Sequence, residues 1–208
     1  MKFLYVWLLL TLSLFAKEGI FVIDKQIKER MIKGNSWHKG CPVAMEDLRY
    51  LRIKYFGFDK QRHMGEMIVH REVAGEVQDI FEALYTMKYP IYKMKLVSSY
   101  QGNDWQSIES GNTSAFNCRN ATGSKKWSKH SYGKAIDLNP IENPYISRNG
   151  RISHKASLKY RKRFHYKNSI ADKAVLVKGD KAIKIFKQYA WKWGGEWSGV
   201  KDYQHFSK

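Results

Sequence analysis

The stretch KHSYGKAIDLNP, residues 129–140, decides how this chain is read. Ala135 to Leu138 has the apolar character of a strand. Ile136 and Leu138 fall on one face, facing a core, and Ala135 and Asp137 on the other. Aspartate is among the poorest strand formers, and a buried carboxylate without a partner is costly. A metal ion, a basic partner or plain exposure would each make Asp137 acceptable, and His130 stands just before the strand.

A catalytic zinc takes three protein ligands of histidine or carboxylate type and keeps one position open. His130 and Asp137 supply two, and His205, near the end of the sequence, offers a third. Asp202 lies three residues before His205, and a carboxylate there could take a proton from water. Each residue also has a plain reading: a surface histidine, an aspartate paired with one of many lysines, an exposed end. Tyr203 and Phe206 in DYQHF would hold that end down.

Outward from these residues, GEMIVH from Gly65 reads as a strand. Val73, Val77, Ile80, Phe81 and Leu84 have helical spacing up to about Lys88, and Pro90 stops the run. IYKMKLVSS alternates as a half-buried strand. Residues 101–128, rich in Gly, Ser, Asn and Thr, read as a long loop. Residues 148–168 are strongly basic and read as surface. Asp180 is placed to cap a helix carrying Ile183, Phe186 and Ala190, with Gly194 and Gly195 as its stop. Strands and helices mix without a regular βαβ rhythm, which predicts an α+β fold with an antiparallel sheet.

The chain has 208 residues, 37 Lys+Arg against 19 Asp+Glu, and a formal charge of +18. A surface so positive favours polyanions such as nucleic acid, anionic lipid or an anionic cell-wall polymer. The N-terminus narrows the choice. Lys2 is followed by an apolar run from Phe3 to Ala16 that is too short for a comfortable membrane span. It reads as a secretory signal cleaved near Ala16. That leaves one domain, 17–208, with no stable membrane span, exported to the periplasm or cell envelope, and it argues against nucleic acid. Cys41 and Cys118 can form one disulfide in such a compartment.

SKHSYGKAID resembles the Ser-x-His-x-x-Gly-x-Ala-x-Asp signature of zinc D-alanyl-D-alanine carboxypeptidases of the VanY type. WGGEWSGVKDYQHF resembles the closing motif of that family and of its L-alanyl-D-glutamate peptidase relatives. The similarity extends across roughly residues 37–206. It implies the hedgehog/DD-peptidase type of fold, a small antiparallel sheet flanked by helices. It implies Zn2+ on His130, Asp137 and His205, with Asp202 as general base, since Glu196 stands too far upstream. Ser128 and Gly133 would shape the ligand loop. The family also places an arginine near the zinc, and Arg119 in FNCRNATGS matches by order, although SSYQG replaces the usual Ser-Gly-Tyr-Arg-Ser motif. The implied substrates are peptidoglycan peptides, cut by a D-Ala-D-Ala carboxypeptidase. The alternatives are an L-Ala-D-Glu or cross-link endopeptidase, and a non-catalytic, zinc-containing wall-binding module.

Overall fold

The structure is a computed structural model that describes residues 17–165 and 169–208. The expected signal segment, 1–16, lies outside the described residues. Strand β1 (Gly19–Val22) leads into helix α1 (Lys25–Lys33). The Asp24 side chain caps α1 by accepting from the Ile27 amide at 2.8 Å, which satisfies one of the donors a helix start leaves free. Strands β2 (Leu48–Gly57) and β3 (Arg62–His70) form an antiparallel hairpin, Leu48 opposite His70. Strand β1 pairs with the other edge of β2. Helix α2 (Ala74–Thr86) covers the hairpin, and the predicted apolar stripe Val77, Ile80, Phe81 and Leu84 is fully buried.

The next segment departs from the expected strand. IYKMKLVSS breaks into β4 (Pro90–Ile91), β5 (Lys93–Met94) and a 3-10 turn over Val97–Tyr100. Side chains take over its backbone partners. The Tyr92 amide donates to Asn139 Oδ1, and Lys95 exchanges both backbone bonds with the Asn112 side chain. At Tyr92 and Lys95 the backbone groups are thus satisfied without a strand partner. The predicted loop over 101–128 also holds a helix, α3 (Asp104–Glu109), and strand β6 (Asn112–Thr113), which pairs with β5 in parallel. The Asn103 side chain caps α3. Cys41 and Cys118 form a disulfide that ties this region to the segment after α1.

The C-terminal half contains β7 (Ala135–Asp137), β8 (Tyr145–Ile146), α4 (Ile170–Lys173), α5 (Lys181–Gln188), β9 (Lys192–Trp193), β10 (Lys201–Asp202) and β11 (His205–Ser207). Asp180 precedes α5, but its carboxylate turns back to accept from the Val177 amide. Helix α5 ends at Gln188, well before Gly194, and Ala190 is exposed with φ +61° rather than on its buried face. The basic stretch is not all surface. Arg163 reaches inward to the carbonyls of Glu142, Tyr160 and Leu176 and to Asn143 Oδ1, and stacks over the Tyr203 ring.

The α+β class therefore stands. The sheet content is divided among a four-stranded sheet and smaller ones, and β4 joins β2 in parallel. Strands β7, β11 and β9 form one of the small antiparallel sheets. Ile136, Phe206 and Trp193 occupy its core face, with Phe206 stacked on Phe186 of α5. Strand alternation then turns Asp137 and His205 to the opposite face.

Candidate metal centre

Antiparallel register sets Asp137 directly opposite His205. His130 comes from the 3-10 turn Lys129–Tyr132 that leads into β7. Ser128 starts this turn, its hydroxyl accepting from the His130 amide at 3.2 Å. Gly133 ends it with φ +65°, a conformation that favours glycine. A Cβ at Gly133 would lie 2.5 Å from the His70 nitrogen, whose N–H donates to the Gly133 carbonyl. The glycine therefore lets the ligand turn lie against the end of β3.

The three side chains converge. His205 Nδ1 lies 3.0 Å from Asp137 Oδ1 and 3.3 Å from His130 Nε2. His130 Nε2 lies 3.2 Å from Asp137 Oδ2. A tetrahedral zinc with bonds of about 2.0–2.1 Å would separate its donor atoms by roughly 3.4 Å. The spacing therefore fits one shared ion. All three residues are buried, Asp137 to 3% exposure. That removes exposure as an explanation for a carboxylate in the strand, and its close basic partners are the two imidazoles. On the far side of its ring, His130 Nδ1 meets the Ala115 carbonyl at 2.5 Å. A proton on Nδ1 leaves Nε2 as the free donor, the usual way a ligand histidine is oriented.

The electrostatics agree with that geometry. Burial pushes the Asp137 carboxyl up, but His130 and His205 outweigh it and hold the group far below the carboxylate range. Burial pulls the His130 imidazole down, and Asp137 more than compensates, so its pKa is raised. Asp202 goes the other way. Burial, then the Asp137 charge, pushes its carboxyl up to about 7. The residue retains some exposed surface, yet its Oδ1 is buried with no hydrogen-bond partner. An orphaned buried acceptor is expensive, and here it stands beside the donor cluster. Asp202 is fixed by β10, where it pairs with Tyr145 of β8. Gly194 permits that position, since a Cβ there would lie 2.4 Å from the Asp202 carbonyl.

Arg119 enters from the disulfide side. Its amide donates to Ser131 Oγ in the ligand turn at 2.9 Å. Its guanidinium pairs with Asp104 at 2.8 Å, and its Nε is buried without a partner. The charges of both Arg119 and Asp104 are felt by His130 and Asp202. Asp104 had no sequence signal, because the segment around it reads as loop. Glu196 is occupied with Lys187 on the surface. Trp197 stands against the His205 ring at 5.3 Å, while Trp193 belongs to the core. His63 bonds Asp59 and stacks on Tyr55 at the hairpin end. A second cluster of donor types, His38 with Cys41 and Cys118, is not a thiolate site because the two sulfurs are bonded to each other.

Two imidazoles and a carboxylate around one point could hold a single metal ion and leave a position open for water. Residues 122–208, somewhat less than half of the chain, match the model of a family described as D-alanyl-D-alanine carboxypeptidase. The matched segment holds His130, Asp137, Asp202 and His205. It begins after Arg119 and Asp104, so it is shorter than the span expected from residue 37. No curated protein and no solved structure matches the chain.

Proposed function

We propose that this protein is an exported zinc peptidase that removes the terminal D-alanine from peptidoglycan stem peptides. The observation that carries the reading is the buried, unpartnered Oδ1 of Asp202 beside the His130–Asp137–His205 cluster. His130 Nε2, His205 Nδ1 and the Asp137 carboxylate would hold Zn2+. When bound, zinc supplies Lewis-acid activation of water and of the scissile carbonyl.

The chain's own groups do the rest. Asp202 Oδ1 takes a proton from the attacking water and returns it to the leaving amine. A carboxyl poised near neutral pH suits both transfers. Arg119 offers its guanidinium to the oxygen that gains charge, or to the substrate's terminal carboxylate. Asp104 holds that guanidinium in place. Trp197 keeps solvent from the outer side of His205. The positive surface retains the enzyme on the anionic wall, and rising salt should loosen it.

Digestion of defined muropeptides, read by mass, tests this. Loss of one alanine by the wild type, absent after chelation, is the expected result. Release of the whole stem, or of a cross-link, would replace the carboxypeptidase reading with an endopeptidase. No cleavage by fully zinc-loaded protein would favour a wall-binding module.

A further inference from the structure

One flank of the site carries an aromatic side chain that the hydrolytic chemistry does not use. Trp105 follows Asp104, the partner of Arg119, and the residue is 52% exposed. A tryptophan this exposed normally needs no explanation, but this one is fixed. The His154 ring lies against it with centroids 3.9 Å apart. His154 Nδ1 is held by Glu109 Oε2, one helical turn along α3 from Trp105. His154 itself belongs to the segment after β8, and β8 pairs with β10 at Tyr145–Asp202. The turn between β8 and His154 is closed by Ser147–Arg151 backbone and side-chain bonds.

Trp105 thus bridges two segments that each lead back to a residue of the site. One is α3, which holds Arg119 through Asp104. The other is the β8 segment, which is paired with the strand of Asp202. His154 takes one side of the indole and leaves the remainder open. Tyr145, opposite Asp202 in register, is also exposed. A rigid, flat indole with an apolar face and polar neighbours offers large contact area at little entropic cost. The ring of an N-acetylhexosamine presents a matching apolar C–H face with a polar rim.

We propose that Trp105, set in place by His154 and Glu109, is a subsite for the amino-sugar ring that carries the stem peptide. The inference rests on the peptidoglycan reading. It makes the enzyme a reader of glycan-attached stems in preference to free peptides. Trp105 and His154 position substrate and take no part in bond breaking.

The test uses the full mature protein with zinc. Wild type, Trp105→Ala and Trp105→Phe are assayed on a disaccharide-linked stem peptide and on the same stem peptide free. In parallel, the indole N–H signals are followed by NMR while peptide-free N-acetylglucosaminyl-N-acetylmuramic acid is added. The expected result is a shift of the Trp105 indole signal with added disaccharide. With it, KM should rise about tenfold for the glycan-linked substrate in Trp105→Ala, with kcat and the free-peptide KM unchanged and Trp105→Phe partly restored. An indole signal indifferent to the disaccharide, or equal losses on both substrates, would overturn the proposal. If the wild type cuts neither substrate, the hydrolase reading fails, and the indole shift alone decides the sugar subsite.

Discussion

Replacing Asp137 with asparagine should separate zinc binding from folding. The side chain is 3% exposed and lies between two imidazoles, within 3.0 and 3.2 Å. Asparagine keeps the volume and an acceptor oxygen but not the charge. Free zinc at about a thousand times its dissociation constant stabilises the folded state by about 4 kcal/mol. At roughly 2–4 °C per kcal/mol for a domain of this size, the melting temperature should rise by roughly 8–16 °C. A thousandfold weaker site at the same zinc concentration leaves about 0.4 kcal/mol, or roughly 1–2 °C. Calorimetry of chelator-stripped wild type and Asp137→Asn, each with and without zinc, measures both increments. The baseline of the variant also falls, because a buried pair is broken, so the increment is the readout.

The pH dependence of that experiment has a definite sign. The raised pKa of His130 means that its protonated pairing with Asp137 stabilises the metal-free protein fully below the usual imidazole range. That contribution disappears as pH rises through the raised value. Zinc must displace the same proton, so the zinc increment grows across the window in which the metal-free baseline falls. An equal zinc increment in Asp137→Asn, or none in the wild type, would refute the shared-ion geometry.

Three further outcomes follow from single contacts. Gly133→Ala, with φ +65° and a Cβ 2.5 Å from the His70 nitrogen, should lose about 2–3 kcal/mol in urea unfolding; a loss under 0.5 kcal/mol would contradict that close approach. Cys41→Ser, or reduction of the wild type, should cost about 2–4 kcal/mol because the bridge closes a long loop; identical unfolding with and without reductant would count against the bridge. Asp202→Asn should make the metal-free protein more stable than wild type at pH 8 and leave it unchanged near pH 4. The Asp202 pKa is raised to about 7, so the wild type loses stability as pH climbs from the unfolded carboxyl value through the folded one. Equal stability of the two proteins at pH 8 would mean that Asp202 carries no such penalty.

Much of the site could be read from residue types alone. A strand with Asp137 on the face opposite Ile136 called for a metal, a basic partner or exposure, and His130 and His205 proved to be its neighbours in space. The helix over Ala74–Thr86 was legible because its buried side chains repeat at helical spacing. The break in IYKMKLVSS was not, because Asn112 and Asn139 replace strand partners from distant positions. Helix α3 was hidden by its short length and polar composition, and with it Asp104 and the setting of Arg119. Arg163 looked like one more surface cation, and only the fold reveals the carbonyl oxygens that receive it. Register, as much as motif, builds the centre: Asp137 faces His205 because β7 and β11 pair at that step.

The most direct test of the central claim is turnover of a D-Ala-D-Ala-terminated muropeptide by Asp202→Asn under full zinc loading, with metal content measured on the same sample. The account predicts zinc bound as in the wild type and a rate lower by about 10²–10⁴-fold, the contribution of a positioned general base. A fully loaded variant that still works within a few-fold of wild type would contradict it and remove Asp202 from the chemistry.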